Sequence, residues 1–117
     1  MLLLRKVVGK IGVKIRKRYL GFQVLYDREL GEKDLLKTLS NQLIRLFGEV
    51  GASKTHFWIQ SYNQASKKGL IECRHNSVQL IRATLTSITE FNGLPLTIYT
   101  LGVSGTINAA KRKYLNA

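Results

Sequence analysis

The spacing of apolar side chains divides this chain into segments of two kinds. Residues 19–26 (YLGFQVLY) alternate, with Leu20, Phe22, Val24 and Tyr26 on one face and Gln23 on the other, the period of a strand. Over 32–47 the period becomes helical. Leu35, Leu39, Leu43 and Leu46 recur on one stripe, Leu36 and Phe47 widen it, and Lys33, Lys37 and Arg45 point away. Gly48 then predicts a left-handed stop. Residues 55–62 (THFWIQSY) and 69–74 (GLIECR) are short strand-like runs, and the polar NQASKK between them suits a hairpin loop. A second helix is expected from Asn76, with Gln79 completing a capping box, Val78, Ile81, Leu85 and Ile88 as its buried stripe, and Asn92-Gly93 as its end. Residues 95–101 (PLTIYTL) form a fourth strand, with Pro95 tolerable only at its start or on an edge. A last helix runs from about Ser104 to Leu115, with Ile107, Ala110 and Tyr114 on one side.

The resulting order, β-α-β-β-α-β plus a terminal helix, predicts an α+β fold of the ferredoxin-like, split βαβ kind. Four antiparallel strands would carry both long helices on one face, with the terminal helix packed separately. On the second strand, alternation separates Phe57, Ile59 and Ser61 from Trp58, Gln60 and Tyr62. The first set is the more apolar and is assigned to the helix-covered core. Trp58 and Tyr62, amphipathic rings suited to an interface, are assigned to a partner protein.

Charge adds an organisation that hydropathy does not reveal. The chain of 117 residues carries a formal net charge of +12. Residues 1–18 hold Arg5, Lys6, Lys10, Lys14, Arg16, Lys17 and Arg18 and no acid, and residues 104–117 hold Lys111, Arg112 and Lys113 and no acid. The 85 residues between have nine basic and seven acidic side chains. A near-neutral centre with two basic ends is the layout expected for a polyanion partner, since Lys and Arg near phosphates gain by releasing condensed counterions. Residues 1–17 therefore read as a basic arm and 18–117 as the domain. The ten terminal cations are candidate RNA contacts.

Gly102 and Gly105 flank Ser104, which allows a sharp exit from the fourth strand and close approach of a neighbour. Ser104 is expected to cap the last helix. The free amides behind it, with Thr106 as a second hydroxyl, would accept a phosphate, although the same residues also fit a plain strand-to-helix turn.

Other chemistry finds little support. Asp27, Glu29, Glu32 and Asp34 cluster before the first helix, but acids in a helix's first turn are accounted for by its dipole. Cys73, His75 and the distant His56 match no zinc spacing, and no nucleophile motif accompanies the two histidines. The first strand-to-helix loop, YDRELGEKD, has Arg28 but lacks the glycine-rich cradle of an acylphosphatase. The strand KGLIECR lacks the aromatics with which an RNA-recognition motif stacks bases. A lone cysteine, the absence of a signal-peptide pattern at MLLLRKVV, and no run near the roughly 18 apolar residues of a membrane span lead to the expectation of a cytoplasmic protein.

The run LGVSGTI at 101–107 followed by KRKYL at 111–115 resembles the C-terminal signature of the archaeal and eukaryotic ribonuclease P protein component 2 family. RYLGFQV at 18–24, LFGEVGASK at 46–54, GLIECR at 69–74 and VQLIRATLTSITEFNG at 78–93 follow in the family's order, so the resemblance covers roughly residues 18–115. It implies the ferredoxin-like fold and a non-catalytic subunit that binds a catalytic RNA and pairs with ribonuclease P protein component 3. The assembly would remove the 5′ leader of precursor tRNA. Catalysis would belong to the RNA and its magnesium, with no cofactor and no catalytic residue in this chain. The alternative is a sequence-tolerant RNA-binding or ribosomal protein of the same fold.

Overall fold

A computed structural model describes residues 16–115. The elements are β1 (Lys17–Leu25), α1 (Glu32–Ser53), β2 (Trp58–Asn63), β3 (Lys68–Arg74), a 3-10 turn (His75–Ser77) and α2 (Val78–Ser87). A small hairpin, β4 (Glu90–Phe91) and β5 (Leu94–Pro95), leads to β6 (Thr97–Ser104) and α3 (Ile107–Ala110), which opens into a π turn (Lys111–Leu115). The four long strands form one sheet in the order β2-β3-β1-β6, antiparallel throughout. This is the split βαβ, ferredoxin-like arrangement.

Alternation along β1 sinks Leu20, Phe22 and Val24 beneath the long helices, where they meet Phe57, Ile59, Ile71, Cys73 and Ile98 of the sheet. Leu35, Leu39 and Leu43 of α1 and Ile81 and Leu85 of α2 close this core. Phe47, not Leu46, continues the α1 stripe: Phe47 packs against the core while Leu46 stays 44% exposed. The stripe advances by steps of four, which turn its contact face towards Phe47.

Gly48 adopts the left-handed φ of 74° foreseen for it, yet kinks the helix without ending it. The following turn re-forms because Ala52 is buried and its carbonyl accepts a 2.7 Å bond from the buried Thr55 hydroxyl. The expected capping box at Asn76 does not form. The His75 amide donates to the Arg16 carbonyl at 2.8 Å, Asn76 Oδ1 accepts from the Ser77 hydroxyl, and α2 starts at Val78 with no side-chain cap. Asn92 and Gly93 do not end α2, which stops at Ser87. With φ of 50° and 78° they are instead the two-residue turn of the β4–β5 hairpin, whose twist demands positive φ at both positions.

β6 begins at Thr97 and runs to Ser104, so Pro95 lies in the short β5 and outside the main sheet. Lys17, the last residue of the expected arm, is the first of β1. Arg5, Lys6, Lys10 and Lys14 lie outside the described residues.

Candidate nucleic-acid interface

The sheet face opposite the long helices is built differently. Its rows follow from register: Trp58, Glu72, Tyr19 and Ser104 lie side by side across β2, β3, β1 and β6, and Gly21 faces Gly102. A second, smaller core forms here. Tyr19, Leu70 and Ala110 are buried, with Ile107, Tyr114 and Leu115 packed around them. The C-terminal segment thus folds back over the start of β1.

Two basic groups border this core. At the entrance of β1, Arg16 is exposed and Lys17 pairs in register with Arg74, while Arg18, paired with Cys73, alternates to the helix side of the strand. The nearby acid is Glu72, buried at 4% exposure, with Lys17 Nζ 3.5 Å from its Oε2. Arg74 and His75 join this end of the sheet through the β1–β3 pairing and the His75–Arg16 backbone bond. The charge count alone missed both, since they lie in the near-neutral middle of the chain. The second group is the π turn, where Lys111, Arg112 and Lys113 are all exposed. Chain ends far apart in sequence therefore present cations around the first half of one strand.

Thr106, not Ser104, caps the last helix. Its hydroxyl accepts from the Ala109 amide at 3.2 Å, and its carbonyl accepts from the Ala110 amide. Ser104 is 8% exposed at the end of β6, paired with Tyr19. The strand runs three residues further than expected, which keeps Ser104 in the sheet and moves the cap two positions on. The cap expected at Ser104, on which its reading as a phosphate contact rests, is therefore not made there.

Trp58 and Tyr62 do not share a face. The register of β2 against β3 shifts between Ile59 and Ser61, so Gln60 is the extra residue of a bulge. Trp58 stays on the open face, half-buried, in the Glu72 row. Tyr62 turns under the helices, stacks on Phe22 at 6.1 Å and 8°, and donates its hydroxyl to the Leu30 carbonyl at 2.8 Å. Burial raises the Tyr62 pKa above its ordinary 10.0. The assignment of Tyr62 to a partner interface is thereby corrected: alternation counts residues, and one bulge inverts every later side chain.

Cys73 is fully buried in the helix-side core, and its thiol is pushed up to about 12 by burial and then by the neighbouring Glu72 charge. It is an inert core residue at neutral pH. Among the described residues no group of three or more His, Cys, Asp or Glu is placed to hold a metal ion. No described helix is long and apolar enough to cross a membrane.

Comparison with known proteins agrees with this architecture. The chain is 37% identical over 100 residues to ribonuclease P protein component 2 of Methanocaldococcus jannaschii, spanning 86% of this chain and 73% of the relative. It is 33% identical over 101 residues to the protein of that name from Pyrococcus furiosus, spanning 86% and 84%. In Archaeoglobus fulgidus the figures for the protein so named are 32% over 103 residues, 88% and 92%. A chain of the cryo-EM structure of yeast ribonuclease MRP shares the fold, with a TM-score of 0.66, 15% identity and 88% of each chain covered. A family model matches residues 18–115. The chain belongs to the Rpp14/Pop5 family.

Proposed function

We propose that this chain is a non-catalytic protein subunit of ribonuclease P that binds the catalytic RNA and a partner protein and so supports removal of the 5′ leader from precursor tRNA. The observation that carries the reading is the family match over residues 18–115, with relatives whose name is ribonuclease P protein component 2. Arg16, Lys17 and Arg18 at the entrance of β1 and Lys111, Arg112 and Lys113 on the π turn contact phosphates, joined by Arg74 from β3. The remaining cations of the basic arm read over residues 1–17, Arg5, Lys6, Lys10 and Lys14, add further contacts. Such contacts orient RNA without reading its sequence. The chemistry of phosphodiester hydrolysis belongs to the RNA and its magnesium, and the particle is cytoplasmic.

The partner is ribonuclease P protein component 3, seated on the open face of the sheet. Trp58 is half-buried there, and Leu25 and Tyr99 of the same face remain 54% and 44% exposed. A small domain seldom leaves such side chains uncovered in its working assembly.

Reconstitution tests the reading. Precursor tRNA cleavage by an archaeal ribonuclease P RNA at limiting magnesium should rise on adding this chain together with component 3. The chain alone, with magnesium and precursor tRNA, should leave the substrate intact. Cleavage by the isolated chain would overturn the assignment of catalysis to the RNA.

A further inference from the structure

The basic turn is held in place by an unusual seat. Gly21 of β1 and Gly102 of β6 are register partners on the open face, and the ring of Tyr114 lies across both. A methyl group at Gly21 would stand 2.6 Å from Tyr114 Cβ, and one at Gly102 2.7 Å from Tyr114 Cζ. Both are distances real Cβ contacts do not reach, so no larger residue fits at either position unless the ring moves. Neither glycine has positive φ. Their smallness serves the close approach of Tyr114 and not the backbone conformation.

What the seat holds is a π turn, a geometry rare outside single turns and often found at functional sites. Ala110 before it is completely buried, and Tyr114 and Leu115 at its end pack on the same core. Both ends of the turn are thus pinned to the sheet, and Lys111, Arg112 and Lys113 are carried over its outer side. A wide turn anchored at both ends presents three consecutive cations to solvent. A regular helix would sweep them over about 200° of its circumference.

We propose that Tyr114, seated on the Gly21–Gly102 pair, is the positioning residue that aims Lys111, Arg112 and Lys113 at the RNA backbone. This rests on the reading that the turn meets RNA. The ring acts by shape: its hydroxyl makes no hydrogen bond among the described residues, so phenylalanine suffices.

The test measures the salt dependence of binding to a ribonuclease P RNA transcript, using the full chain. Each phosphate contact contributes a slope of roughly 0.7–0.9 in log K against log salt. The triple variant K111A/R112A/K113A should lose about two contacts, a change of about 1.4–1.8. Tyr114→Ala and Gly102→Ala should each lose a similar amount, and neither should lose more when combined with the triple variant. Tyr114→Phe should keep the native slope. Circular dichroism and melting establish that each variant is folded, and Tyr114→Ala introduces no clash if Gly102→Ala proves unstable. If the triple variant loses slope while Tyr114→Ala keeps it, the seat is only structural and the positioning role is overturned, with the RNA reading intact. If the triple variant itself keeps the native slope, the turn does not meet RNA and both fall.

Discussion

The two faces of one sheet divide the labour of this protein. Beneath the helices lie Phe22, Ile71, Phe57, Leu39 and their neighbours, large side chains at or near zero exposure in continuous contact. Among the described residues the opposite face has a smaller apolar core of three buried residues, two glycines where side chains would otherwise stand, and cations at its borders. Close packing of large apolar groups supplies most of the driving force for folding. A face with a thin core, a half-buried tryptophan and exposed charge contributes less to stability and leaves more surface for partners. Substitutions on the first face should therefore be read out as stability, and those on the second as binding.

The largest effect should come from the helix side. Phe22→Ala removes a fully buried ring that stacks on Tyr62, and should cost about 3–5 kcal/mol in chemical denaturation. A loss below about 1 kcal/mol would show that this face does not dominate folding.

Trp58→Ala sharpens the contrast. On the proposed reading it should weaken the complex with component 3 by about 2 kcal/mol, the scale of an interface anchor, while lowering the melting temperature of the free chain by only a few degrees. The reverse pattern, a large melting shift with unchanged complex formation, would make Trp58 a structural residue.

Tyr62→Phe, a change that would have been expected to affect partner binding had both rings shared a face, should leave the complex unchanged. It should cost about 0.5–1.5 kcal/mol of stability through loss of the bond to the Leu30 carbonyl. Calorimetric binding and denaturation of the same variant separate the two outcomes.

A further test is a pH dependence confined to the helix side. The folded Cys73 thiol titrates near 12 against an ordinary 9.0, so the protonated form is the one the fold favours. Its stabilising contribution is complete below pH 9 and declines as pH rises towards 12, because the unfolded chain releases the proton first. Unfolding curves at pH 8 and pH 10.5 should show a smaller loss for Cys73→Ala than for the native chain. Equal losses would mean that the thiol is more accessible than its burial indicates.

Much of this was legible in the residue pattern, and the failures have a common cause. Period two in 19–26 and stripes at Leu35, Leu39, Leu43 and at Val78, Ile81, Leu85, Ile88 reflect burial on one side of an element, a property carried by local spacing alone. Element order, the split βαβ topology and the family resemblance follow from the same one-dimensional information, as do the basic ends. Only tertiary structure could decide what depends on contacts between distant residues. The bulge at Gln60 answers to pairing with β3, and it sends Tyr62 to the opposite face from Trp58. The extension of β6 to Ser104 answers to pairing with Tyr19, and it transfers the cap to Thr106. Arg74 and His75 become part of a basic surface through register and a backbone bond to Arg16. The glycines at 21 and 102 show the same limit. Separated by eighty residues, they acquire a common purpose only when β1 and β6 pair and the ring of Tyr114 is laid across them.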